Sequence, residues 1–108
     1  MPKVYIPNNS GHDFSNAEEY GTPVFITEGT IDRFKINQMY REVADALKDS
    51  TDEDYIIVSG LTQINVVLTS AFAYKHGVLN MLIYDVKEER YILRKLVLSN
   101  MIDRVEEE

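Results

Sequence analysis

An α/β fold is predicted for this 108-residue chain by three features of its sequence. Short β-branched and aromatic runs alternate with segments of helical periodicity. Those runs are apolar without interruption, as in strands buried on both faces, and the last two are joined by too few residues for a crossover. Strands alternating with helical crossovers imply right-handed parallel βαβ units. The expected architecture is a small Rossmann-like three-layer sandwich of four or five strands, mostly parallel, ending in an antiparallel hairpin. An α+β domain with a mostly antiparallel sheet is the alternative.

Each element has its own signal. Val4-Tyr5-Ile6 reads as a first strand stopped by Pro7, and Ser15 to Tyr20 as a short helix stopped by Gly21. Val24-Phe25-Ile26-Thr27 is a second strand ending at Glu28-Gly29. Asn37 is placed to cap a helix through Lys48, with Met39, Tyr40, Val43 and Leu47 inward and Arg41, Glu42, Asp45 and Lys48 outward. Tyr55-Ile56-Ile57-Val58 is a third strand that ends at Ser59-Gly60, and Thr62 to His76 is the helix after it. In that helix Ile64, Val67, Leu68, Ala71 and Phe72 face inward, Lys75 and His76 occupy the last turn and Gly77 follows as the C-cap. Val78 to Tyr84 and Tyr91 to Leu98 form the hairpin. Residues 1–98 are expected to make a single α/β domain, with 99–108 an acidic tail, helical or disordered.

Composition narrows the function. Residues 1–50 hold 8 acids and 5 bases and residues 51–108 hold 10 acids and 6 bases, so the net charge of -7 is spread along the chain. Binding to a phosphate backbone needs clustered Lys and Arg, so nucleic acid is not an expected partner. No apolar run approaches the roughly 18 residues that span a bilayer, and no membrane partner is expected. A cytoplasmic location is expected. Without cysteine there is no thiolate zinc site or thiol nucleophile. The spacings H-E-x-x-H, H-x-x-E-H and EF-hand are missing, so no metal is expected. G-x-x-x-x-G-K-S/T, G-x-G-x-x-G and G-x-S-x-G are missing too, and no cofactor is expected.

In an open parallel sheet, ligands bind beyond the carboxyl ends of the strands. There the sequence places three polar, small-residue loops: Asn8 to Asp13 after the first strand, Thr27 to Thr30 after the second, and Ser59 to Thr62 after the third. If the strands are parallel, these loops share one edge of the sheet. Ser59, Gly60 and Thr62 would hold an anion at a helix N-terminus, where backbone amides are free and a glycine permits close approach. The same residues also suit a plain helix cap made by Ser59 or Thr62. Asn8, Ser10, Gly11, His12, Asp13 and Glu28 would line the opposite wall. His12 is the one histidine outside a helix end and the only catalytic candidate, with Asp13 and Glu28 to assist it; a plain Asx turn explains the same loop. His76 is expected to cap carbonyls.

Self-association, as a dimer, is expected from two features. The helix over 62–76 is apolar around most of its circumference, and Met101, Ile102 and Val105 repeat at helical spacing after a cap at Ser99 or Asn100.

The opening Val4-Tyr5-Ile6-Pro7-Asn8-Asn9-Ser10-Gly11-His12-Asp13-Phe14-Ser15, with Met39-Tyr40-Arg41-Glu42 and Asp54-Tyr55-Ile56, resembles short uncharacterised proteins of tailed bacteriophages. The resemblance covers about the first 95 residues. It implies a role in host takeover or anti-defence and carries over no catalytic residue. The function expected from residues and resemblance together is binding of a nucleotide-like or other anionic small molecule at the strand ends, for sequestration or sensing. A phage-encoded protein-protein interaction module, acting as a host-factor inhibitor or assembly subunit, is the alternative. An enzyme using His12 on a phosphate or glycosidic bond ranks below both.

Overall fold

The computed structural model describes residues 1–9 and 11–107, with backbone alone for 103–107. The elements run β1 (Lys3–Asn9), a 3₁₀ turn (Ser15–Ala17), β2 (Thr22–Glu28), α1 (Ile36–Ala46), a second 3₁₀ turn (Leu47–Asp49), β3 (Tyr55–Ile57), α2 (Thr62–His76), β4 (Val78–Asp85), β5 (Arg90–Val97) and α3 (Leu98–Glu107). The five strands form one sheet in the order β2-β1-β3-β4-β5. β1 pairs parallel with both β2 and β3, and β3 parallel with β4, while β4 and β5 make the antiparallel hairpin. This is the mostly parallel α/β sandwich expected, with five strands.

Alternation along the strands splits the core in two. Tyr5, Ile56 and Leu79 point to one face, where Met39, Val43 and Leu47 of the α1 segment and Ile64, Leu68 and Phe72 of α2 cover them. Val4, Ile6, Ile57, Leu82 and Tyr91 point to the other, which the segment from Phe14 through Ala17 to Tyr20 covers. One face is therefore sheltered by two helices and the other by little more than a turn. The short helix expected over 15–20 is only that 3₁₀ turn, held in place where the Tyr20 hydroxyl donates to Tyr91 O (3.1 Å).

Three further details depart from the sequence reading. β1 runs through Pro7 to Asn9, because pairing with β3 has ended by Tyr5 and the missing Pro7 amide breaks no ladder on that flank. α1 begins at Ile36 with no side-chain cap, so Asn37 caps nothing. The entry turn is made instead by Asp32, whose carboxylate accepts the Phe34 amide (2.9 Å). Tyr40 is 66% exposed, since the inward stripe of α1 passes through Met39, Val43 and Leu47.

At the amino edge of the sheet the ends of α1 and α2 are clamped together. Lys75 Nζ donates to Leu47 O (2.6 Å), Lys48 O (3.0 Å) and Ser50 Oγ (3.2 Å). His76 does not cap carbonyls: Gly77 N closes α2 onto Ala73 O, and His76 Nε2 lies 2.8 Å from the buried Ser50 Oγ. Burial, and then the neighbouring Lys75 ammonium, hold His76 below the usual histidine range against the opposite pull of Asp52 and Asp54. On acidification the unfolded chain therefore binds its proton first. Stability that is complete above the unfolded value of 6.5 falls as the pH drops below it. Thermal unfolding at pH 8 and pH 5.5 should show this loss, and His76→Gln should show less of it.

Gly21 meets a different constraint. A Cβ there would lie 2.3 Å from Pro2 O, the acceptor of the Thr22 amide that starts the β1–β2 pairing. Gly21→Ala should destabilise the fold by about 1–3 kcal/mol, measured by denaturant titration.

Candidate functional site

The path of the chain opens a crevice beside β1. From β1 the chain passes across the turn-covered face to β2, then returns over the helical face through α1 to β3 on the other side of β1. The loops leaving β1 and β3 therefore diverge to opposite faces, which makes the carboxyl edge between them the topological switch point of the sheet. A cleft of about 540 Å³ lies there. The loop after β1 contributes Asn8, His12, Asp13, Phe14 and Asn16; the β3–α2 loop contributes Ser59, Gly60 and Leu61; the hairpin end contributes Tyr84 and Tyr91.

Five of the residues expected at a site, Asn8, His12, Asp13, Ser59 and Gly60, thus meet around one opening. Glu28 and Thr62 are placed elsewhere. Glu28 lies in a smaller cleft of about 260 Å³ with Asp32, Lys35 and Glu42. Thr62 lies in a groove along α2 with Val58, Val66 and Met81. Gly11 is exposed, with a φ of 99°. Ser10 lies outside the described residues.

Side chain to backbone bonds shape both walls. The Thr27 hydroxyl lies 2.8 Å from both Pro7 O and Asn8 Oδ1, and Asn8 Nδ2 donates to Gly29 O (2.7 Å), so the Asn8 amide ties β1 to β2 just below the opening. Asp13 accepts the Ser15 amide (2.9 Å), and that bond holds its carboxyl below the usual carboxylate range. Asp13 therefore stays ionised and fastens the turn that carries Phe14, instead of orienting His12. His12 is exposed and stands edge-on to Phe14, with ring centroids 6.3 Å apart.

The opposite wall is organised by a residue that the sequence reading passed over. Asn65, 9% exposed on the second turn of α2, donates from Nδ2 to Ser59 O (2.7 Å) and Leu61 O (2.8 Å) and accepts the Ser59 amide at Oδ1 (3.2 Å). The residue before α2 is Leu61, which makes no side-chain cap, so neither Ser59 nor Thr62 caps the helix as expected. The physical reason is the left-handed turn at Gly60 (φ 75°), which swings the Ser59 backbone toward Asn65. A polar residue on the inward stripe of an otherwise apolar helix was the available signal.

Also missed were the aromatics. Tyr84 and Tyr91 stand in T-shaped contact at 5.1 Å, and Phe14 meets Phe25 at 6.0 Å. Burial, then the charges of the Tyr84 phenol oxygen and the Asp13 carboxylate, raise the Tyr91 phenol above its usual range. The tyrosines read as ordinary strand residues because only the hairpin register, with Tyr84 opposite Tyr91, brings them together. Among the cleft-lining residues Asp13 is the one acid, and Lys and Arg are not among them.

Fold and cleft together define a small α/β domain with a mostly parallel five-stranded sheet and an open crevice at its switch point. The sequence matches the Phage Pam3 gp32-like protein family over residues 2–97, and the chain belongs to that family. The expected kinship with phage proteins is thereby shown. No curated protein and no solved structure matches the chain. Among the described residues no helix is long and apolar enough to cross a membrane, and no group of three or more His, Asp or Glu gathers as for a metal ion.

The Gly60 turn supplies a check on this geometry. A Cβ at Gly60 would meet open space, so any cost comes from the positive φ alone. Gly60→Ala should cost about 1–2 kcal/mol by chemical denaturation, whereas Asn65→Ala, which strips the loop of its clamp, should also broaden the Ser59 and Leu61 amide resonances.

Proposed function

We propose that this phage-family protein binds a small molecule carrying a planar ring, of nucleoside or nucleotide type, in the switch-point cleft, and that it sequesters or senses the molecule without turning it over. The observation that carries the reading is the meeting of aromatic and polar groups at one opening. Tyr84, Tyr91 and Phe14 offer ring faces and edges, and Asn8, Asn16, Ser59 and the Gly60 backbone offer hydrogen bonds. An anionic group on the ligand would meet the Gly60–Leu61 backbone that leads into α2. With Asp13 engaged by Ser15 and Glu28 in another cleft, His12 has neither of the carboxylates expected to assist it. This supports binding over catalysis, and a phage protein that withdraws a signalling nucleotide from its host would act in anti-defence.

A protein-protein interaction module is the second reading. It is favoured by Phe34 and Tyr40, 79% and 66% exposed near the start of α1.

A thermal-shift panel of nucleobases, nucleosides and mono-, di- and cyclic nucleotides tests the first reading. A true ligand at 100 times its Kd should add about 2.7 kcal/mol of stability. Tyr84→Ala, at a half-exposed ring, should weaken binding by about 1–3 kcal/mol, the range for one stacked base. His12→Ala should leave affinity within a few-fold, and no product should form. A panel without any stabiliser would leave the interaction-module reading in its place, and His12-dependent turnover would make the protein an enzyme.

A further inference from the structure

We propose that two copies of this chain exchange their C-terminal helices, α3 of each lying across the helix-side face of β4 and β5 of the other. The proposal is independent of the cleft and its ligand.

The helical layer stops short of the hairpin. α1 and α2 cover Tyr5, Ile56 and Leu79, and Met81 packs against their edge, but the same face continues past them onto the Ile83 end of β4 and onto β5, where Ile83 and Leu96 stay partly exposed. Hairpin register places Met81, Ile83, Ile92 and Leu96 on that face, since Leu79 pairs Leu96, Met81 pairs Arg94 and Ile83 pairs Ile92. Ile83 is 45% and Leu96 37% exposed, and Val66 on the adjacent side of α2 is 57% exposed. A patch of this kind marks a covered surface more often than a bare one.

Charge says what covers it. β5 holds three bases, Arg90, Arg94 and Lys95, and no acid; the alternation puts Arg90 and Arg94 on the open face beside Ile92 and Leu96, where Asp85 of β4 lies opposite Arg90 and Met81 opposite Arg94. The chain from 103 to 108 holds four acids and one base. α3 therefore joins an apolar start, with Met101 and Ile102 about half exposed, to an acidic end. An acidic amphipathic helix is the complement of a basic apolar strand face.

The α3 segment cannot serve its own β5. That strand ends at Val97 and α3 begins at Leu98, whose amide donates to Gly77 O (3.0 Å), so no residue is left to reverse the chain. Folding a helix back over the preceding strand takes a connection of about two to six residues. Edge-to-edge pairing of two β5 strands would set their arginines and lysines against one another, which disfavours that dimer. Reciprocal exchange satisfies both copies with one two-fold contact.

Charge exchange tests the proposal. Sedimentation velocity of the full chain should show a dimer, and the chain ending at Val97 a monomer. Arg90→Glu with Arg94→Glu in one variant, and Glu106→Lys with Glu107→Lys in another, should each weaken self-association by about tenfold or more. Mixed together, the two variants should recover a 1:1 heterodimer, because each acidic or basic helix then meets an opposite face. A monomeric full chain, a dimer that survives removal of residues 98–108, or a mixture that stays monomeric would each overturn it.

Discussion

Val4, Tyr5 and Ile6 on β1 have no exposed surface at all, and Pro7 beside them is buried too. A strand buried on both faces needs cover above and below and a hydrogen-bonded neighbour on each side. Everything else follows from meeting those four demands with about a hundred residues. The chain supplies β2 on one flank and β3 on the other, and it reaches them across opposite faces. The crevice at the switch point is the direct consequence, because two connections leaving neighbouring strand ends in opposite directions cannot also fill the space between them.

The cover is unequal. On the helical face α1 and α2 supply Met39, Val43, Leu47, Ile64, Leu68 and Phe72. On the other, Phe14, Ala17 and Tyr20 do the same work from a 3₁₀ turn, and Tyr91 closes the gap from the hairpin. So thin a layer keeps Tyr84 and Tyr91 close to the β1 loop and at the cleft. The same economy leaves Ile83 and Leu96 partly exposed on the helix-side face of the hairpin. Both the cleft and the open hairpin face are thus products of a small domain with more sheet than helix to shelter it.

Precision at the sheet edges comes from side chains bonded to backbone. At the carboxyl edge Asn8 ties β1 to β2 and Asn65 ties the β3–α2 loop to its helix. At the amino edge the Asp54 carboxylate accepts the Lys3 and Thr51 amides, Asn80 donates to Asp52 O and Asp54 O, and Lys75 and Ser50 close the end of the α1 segment. Buried polar side chains of this sort are stabilising only when satisfied, and they specify one register over its neighbours. The Tyr5 hydroxyl is the exception among the described residues, buried without a partner, and its pKa is pushed up to about 12 by burial, then by Asp54 and Asp49.

Local pattern was enough to reveal the strands, the two main helices, the parallel pairing and the final hairpin, because uninterrupted apolar runs, period-3.6 stripes and connector length are properties of neighbouring residues; the order of the strands came only from the structure. It was enough, too, to set Asn8, His12, Asp13, Ser59 and Gly60 at one edge, since parallel strands place all their carboxyl ends together. Tertiary structure alone decided that Glu28 and Thr62 fall away from that opening, that Asn65 and not Ser59 or Thr62 holds the α2 entrance, and that Tyr84, Tyr91 and Phe14 line the cleft. Each of these depends on a contact between residues distant in the chain or on the sign of one dihedral, at Gly60, which no periodicity encodes. Sequence pattern tells which faces must be buried; what they are buried against is set only when the sheet closes around β1.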